Sequence, residues 1–235
     1  MRLRSFLKSL TDSEGHVDTL FVIIEYIGVI AFTVSGAMVA IHREADLFGV
    51  VFLSVMTAFC GGILRDLCLG ITPPSFFSWQ SAPKVAVSIT VAIAVFMLAL
   101  IFKRAYVANE VRIDRINNVF DALGLGIFAV LGTDMAIEAG YTAPLIAILM
   151  GLISGIGGGM LRDLFLGTVP FVIRKRVYAV ATLLGSAAYY VLETYLSLGT
   201  YAMLIGVALT FALRMCATIF KWNMPKAINF SDMAQ

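Results

Sequence analysis

The chain has 235 residues, 60% of them apolar and 14% charged, with a net charge of +2 and a mean hydropathy of +0.93. Soluble domains sit at about 45–50% apolar and about 25% charged. A water-soluble core of this length has no room for so much apolar surface, and the small net charge carries no footprint for nucleic acid.

The first ten residues place Leu3, Phe6, Leu7 and Leu10 at helical spacing with Arg2, Arg4 and Lys8 between them. They read either as a short interfacial helix or as a frayed terminus. Seven apolar runs follow, near 20–42, 47–69, 82–102, 117–138, 142–166, 177–196 and 200–220. Each is about the 20 residues a helix needs to cross the hydrocarbon core. The first run is long enough to span, so it reads as a retained helix and not as a cleaved signal. The tail from Pro225 is polar and reads as disordered. Cys60, Cys68 and Cys216 lie in apolar runs and read as buried thiols, and His16 and His42 lack partners at metal spacing. No nucleophile–base set and no metal constellation is visible, which argues against an enzyme and against a bound cofactor.

Orientation follows from the basic residues of the connections. One side carries ten: Arg43, Lys103, Arg104, Arg112, Arg115, Arg174, Lys175, Arg176, Lys221 and Lys226. The other carries four: Arg2, Arg4, Lys8 and Lys84. The bias places the N-terminus outside and the C-terminus in the cytoplasm.

The strongest signal is a repeat. TAFCGGILRDLCLGITP at 57–73 and SGIGGGMLRDLFLGTVP at 154–170 agree at nine of 17 positions, with GG-x-LRDL-x-LG-x-x-P in common. Upstream, at an offset one residue shorter, Glu25 to Gly28 aligns with Asp121 to Gly124, and Gly36 with Gly132. Each copy spans three helices. Three is odd, so the second copy enters the membrane inverted, a plan that places function near the pseudo-two-fold axis. The expected divisions are an extramembrane segment 1–19, a first unit 20–105, an inverted unit 116–198, a seventh helix 199–222 and a tail 223–235. The fold class is all-α, with seven transmembrane helices.

Gly61-Gly62 and Gly157-Gly158-Gly159 sit inside the second helix of each copy. Two readings stand. Glycine clusters let a helix kink, and broken backbone in a membrane lines water or is buried in protein. Alternatively, small residues let two helices approach closely, a pattern that Gly151 and Gly155 fit. Topology then places Glu25 and Arg65 near the outer face, and Asp121 and Arg162 near the inner one. Two acid–base pairs are expected, Glu25–Arg65 and Asp121–Arg162, with Asp66 and Asp163 as alternative or additional partners. Charges inside a membrane are expensive and mark function, here gating charges whose pairs must release or shift for a pore to open, although a plain interhelical clamp is equally consistent. Thr133 and Asp134 are candidates for a cation-attracting vestibule, or are merely interfacial. Trp79, Tyr141, Tyr178 and Trp222 suit an aromatic belt.

Two copies of GG-x-LRD-x₃-G-x₂-P, each in a three-helix unit followed by a seventh helix, resemble the prokaryotic branch of the trimeric intracellular cation (TRIC) channels. The resemblance covers residues 20–220. It implies homotrimers with a pore in each protomer, second and fifth helices kinked at Gly61-Gly62 and Gly157-Gly158-Gly159, and permeation of K⁺ and also Na⁺. The first copy departs at Cys60, where the second has Gly157. No counterpart of the Lys-Glu-Val motif of the animal members is visible. Bacterial members also carry a label as glycine transporters, so a carrier of a small zwitterion stands beside the channel. A membrane protein without transport leaves the doubled charged motif unexplained. The expected location is the prokaryotic plasma (inner) membrane.

Overall fold

A computed structural model describes residues 14–174 and 177–222. The expected interfacial segment at 1–10 and the tail from Pro225 lie outside the described residues. Seven long helices account for most of the chain: α1 Glu14–His42, α2 Leu47–Cys68, α3 Ala82–Ile101, α4 Glu110–Glu138, α5 Pro144–Phe165, α6 Val177–Leu196 and α7 Thr200–Ile219. Two short α-helices, Lys103–Ala108 and Phe171–Arg174, and two 3₁₀ turns, Ser75–Phe77 and Trp79–Ser81, lie in the connections, and no strand occurs among the described residues. Six of the long helices have the length and apolar composition to cross a membrane. The other, α6, carries Thr182, Ser186, Tyr189, Tyr190 and Glu193 spread along its length, so it lacks an equally long apolar stretch.

The expected runs match these helices closely, except that α1 starts at Glu14 and α4 at Glu110, six and seven residues before their apolar runs. Local chemistry sets the ends. Asp46 caps α2 by accepting from the Gly49 N–H at 2.8 Å. Pro83 and Pro144 sit in the first turns of α3 and α5, where a missing N–H costs nothing. The LRDL-x-LG stretch ends α2 and α5 in the same way. Gly70 N–H reaches Leu67 O and Ile71 N–H reaches Asp66 O, while Gly167 N–H reaches Leu164 O and Thr168 N–H reaches Asp163 O. Gly70 and Gly167 take φ of +73° and +64°. This is the paired closure in which a left-handed glycine satisfies the last carbonyls.

At the centre, α2 packs on α5 and α1 packs on α4, with α6 and α7 against the second half. A methyl group placed on Gly61 would lie 2.1 Å from Ser154 O, and one on Gly158 would lie 2.0 Å from Thr57 O. These are repeat equivalents in reciprocal contact. The two helices run unbroken through the glycines, so the expected unwound backbone is absent. The physical reason is that the freed space is filled by the opposing helix backbone, which keeps both hydrogen-bond ladders intact. Gly36 and Gly132 repeat the theme, facing Thr57 Oγ1 and Ser154 Cβ.

Candidate functional site

Two cavities enter this centre from opposite ends of α1. The larger, of about 570 Å³, is walled by Glu25, Arg65, Lys84, Asp134, Glu138 and Glu193, and its floor includes Val29, Ala58, Gly62 and Phe128. Four carboxylates face two cations, so the wall favours positive ions. The smaller, of about 210 Å³, is lined by Met38, His42, Arg43, Asp114, Arg162 and Asp163 among others. Its charges nearly balance.

The expected pairing of Glu25 with Arg65 does not form. Glu25 instead accepts from Lys84 Nζ, a cation at the start of α3. Arg65 folds back on its neighbour, donating from Nε and Nη2 to Asp66 Oδ1 at 2.9 and 2.7 Å. The other oxygen of Asp66 accepts from the Ser75 N–H at 2.8 Å and from its hydroxyl. Asp66 is therefore saturated by the α2–α3 connection, and Glu25 is left to Lys84. Both Glu25 and Arg65 still line the same cavity.

At the other end the expected Asp121–Arg162 pair is present, at 3.4 Å. Arg162 also donates to Asp163 Oδ1 and to Ser35 Oγ, both at 2.9 Å. All four side chains are buried. Gly62 and Gly159 each leave room for an arginine one turn on: a methyl there would lie 3.7 Å from Nη2 of Arg65 and of Arg162 respectively. Gly61 and Gly158 thus serve helix contact, and Gly62 and Gly159 serve the charged motif.

Asp134 lines the larger cavity and accepts a hydrogen bond from the Tyr189 hydroxyl. Thr133 does not line it: fully buried, it donates to Ala129 O at 2.9 Å and faces Gly151. Tyr178 does not join an aromatic belt. It is 3% exposed, and the Arg214 guanidinium lies 4.9 Å over its ring. Arg214 itself is 2% exposed and donates to Thr218 Oγ1 at 2.6 Å. Sequence reasoning missed Lys84, Ser35 and Arg214 as site residues. The one signal available was Arg214, an arginine inside an apolar run.

A bundle of long apolar helices, with buried arginines, carboxylates and hydroxyls in its interior, defines an integral membrane protein. The model of a family described as "Glycine transporter" matches residues 22–103 and 118–194. The UPF0126 membrane protein YvgT of Bacillus subtilis is 31% identical over 204 residues, 86% of this chain and 94% of that protein. The UPF0126 inner membrane protein YadS of Escherichia coli K12 is 32% identical over 206 residues, 86% and 92% of the two. Among solved structures, the TRIC channel orthologue from Rhodobacter sphaeroides is 34% identical with a TM-score of 0.76, covering 87% of this chain and all of that one. A prokaryotic TRIC channel in 0.5 M KCl is 32% identical with a TM-score of 0.78, covering 88% of this chain and 99% of that one. A TRIC channel from C. elegans, at 15% identity and a TM-score of 0.55, shares the fold. The chain belongs to this family, which holds the prokaryotic TRIC channels. These relatives are membrane and channel proteins, and the chain is not an enzyme.

Proposed function

We propose that the chain is a monovalent cation channel passing K⁺ and also Na⁺, with one pore in each protomer of a homotrimer. The observation that carries this reading is the pair of cavities aligned along α1, the larger with four carboxylates against two cations. Its similarity to TRIC channels supports the same reading. The pore runs between α1, α2, α4 and α5, from Glu25 and Arg65 at one mouth to Asp121, Arg162 and Asp163 at the other. Asp66 anchors the first mouth. Gly61, Gly62, Gly157, Gly158 and Gly159 form its waist, by close packing in place of a broken helix.

On this reading all seven long helices span the bilayer as two inverted units, 20–105 and 116–198, followed by α7 (within 199–222). The reciprocal contacts of Gly61 with Ser154 O and Gly158 with Thr57 O are those expected where a two-fold axis passes. The ten-to-four distribution of basic residues supports an external N-terminus and a cytoplasmic C-terminus in the inner membrane, with the Arg65 cavity outside. The bound partners are K⁺, Na⁺ and the bilayer.

Planar-bilayer recording tests the proposal. Unitary currents whose reversal potential follows the K⁺ gradient are expected. Saturable glycine counterflow without unitary currents would establish the carrier reading instead, the one the family description favours. Lys84 offers a second measurement. Lys84→Met removes a cation from the wall and is expected to raise K⁺ conductance about twofold at about 0.01 M salt and hardly at all at about 1 M, since screening lengths fall from about 30 to 3 Å. Stability changes little, about 0–1 kcal/mol, because the Lys84–Glu25 pair is partly exposed. An equal effect at both salts would count against an electrostatic role for the wall.

A further inference from the structure

Between the two cavities lies a mainly apolar layer. It contains Val29 and Phe32 of α1, Ala58 of α2, Leu125 and Phe128 of α4, and Tyr178 of α6, whose hydroxyl is its one polar group. Each is at most 8% exposed. Along α1 the order is Glu25 in the larger cavity, Val29 in its floor, Phe32, then Ser35 bonded to Arg162, then Met38 and His42 in the smaller cavity. These residues recur every three or four positions, so they occupy one face of the helix. An ion passing from cavity to cavity must cross the level of Val29 and Phe32.

Phe32 and Phe128 meet at that level. Their ring centroids are 5.2 Å apart and the planes differ by 15°, an offset stack of the favoured kind. Each ring is seated against a glycine of the opposing helix. A methyl on Gly124 would lie 2.3 Å from Phe32 Cδ1, and one on Gly28 would lie 2.7 Å from Ile127 Cγ2 and 3.2 Å from Phe128 Cε2. Gly28 corresponds to Gly124 in the repeat, and Phe32 to Phe128 at the same offset of 96. One ring therefore comes from each unit, and each needs the other unit's glycine. This reciprocity is that of residues lying at the axis relating the two units.

We infer that the stacked Phe32–Phe128 pair is an apolar gate that keeps the path between the cavities dry, and that opening requires the rings to leave their glycine seats. This rests on the channel reading above. An apolar constriction excludes ions because water leaves it. A polar atom placed there stabilises the wet state, in which it finds hydrogen bonds, against the dry state, in which it finds none. The charged motifs at the mouths lie on either side of the plug and hold the helices that carry it, so they act on the gate through α1 and α4.

The test is single-channel recording of purified protein. Phe128→Tyr retains the ring and adds one hydroxyl. It is expected to raise open probability about tenfold, with unchanged ion selectivity, because burying an unpaired hydroxyl penalises the dry state. Phe128→Asn is expected to leave the channel open at rest, and Phe128→Leu, apolar and of similar bulk, to stay closed. Phe32→Tyr and Phe32→Leu supply the same contrast from the other unit if a Phe128 variant does not fold. A tyrosine variant with the open probability of the parent protein, or a leucine variant as open as the asparagine one, would overturn the gate. Absence of cation current from the parent protein would instead overturn the channel reading, which separates the two failures.

Discussion

Replacing Arg162 with alanine is expected to destabilise the protein by about 3–5 kcal/mol, the cost of breaking a buried ion pair by removing one partner. The guanidinium holds Asp163 Oδ1, Ser35 Oγ and Asp121 Oδ1. Asp121 and Asp163 are 5% and 7% exposed, so neither recovers the lost interaction from bulk water. Arg65→Ala removes the equivalent residue of the first unit and is expected to cost distinctly less. Its one carboxylate partner, Asp66, keeps the Ser75 N–H and hydroxyl, and the acid expected from the repeat, Glu25, is already held by Lys84. The measurement is the unfolding midpoint of both variants in the same detergent. Arg162→Ala combined with Asp121→Asn and Asp163→Asn is expected to regain part of the loss, because the orphaned charges are gone. Equal costs for the two arginines, or no recovery in the combined variant, would show that the clusters are not built as described.

That asymmetry explains how far the sequence could be read. The apolar runs foretold the helices because membrane-crossing length and composition are local properties. The LRDL-x-LG motif ends both helices alike because a left-handed glycine closes a helix by local hydrogen bonds. Pairing the charges was harder. Glu25 and Arg65 lie at similar depth, but depth alone does not say which cation is on the facing side of α3, and Lys84 had been placed among the surface charges. Asp121 and Arg162 did come together, with Arg162 also held by Asp163 and Ser35. Tyr178 illustrates the opposite error. A tyrosine near the end of an apolar run suits the interface, unless a buried cation such as Arg214 waits above its ring. The stacked phenylalanines were equally hidden, since one apolar residue in an apolar run carries no signal by itself. Their shared offset with Gly28 and Gly124 was the signal.

The glycine pairs give the sharpest contrast, because adjacent residues of one helix are expected to respond oppositely. Gly61→Ala drives a methyl to 2.1 Å from the Ser154 carbonyl oxygen, and Gly158→Ala drives one to 2.0 Å from the Thr57 carbonyl oxygen. These neighbours are backbone and cannot turn aside, so α2 and α5 must separate. The expected cost is about 1–3 kcal/mol or more for overpacking, with altered conduction because the waist itself widens. Gly62→Ala meets nothing closer than Arg65 Nη2 at 3.7 Å. Alanine also favours a helix over glycine by about 1 kcal/mol, so this variant is expected to be as stable as the parent or slightly more so. Gly159→Ala lies between, with the Tyr178 hydroxyl at 3.3 Å. If these glycines were hinges, Gly62→Ala would stiffen the helix and impair conduction while Gly61→Ala had no special penalty. If they are contact points, the order reverses. Thermal unfolding and conductance of the Gly61→Ala and Gly62→Ala variants, measured side by side, therefore decide whether the waist of this protein bends or is packed.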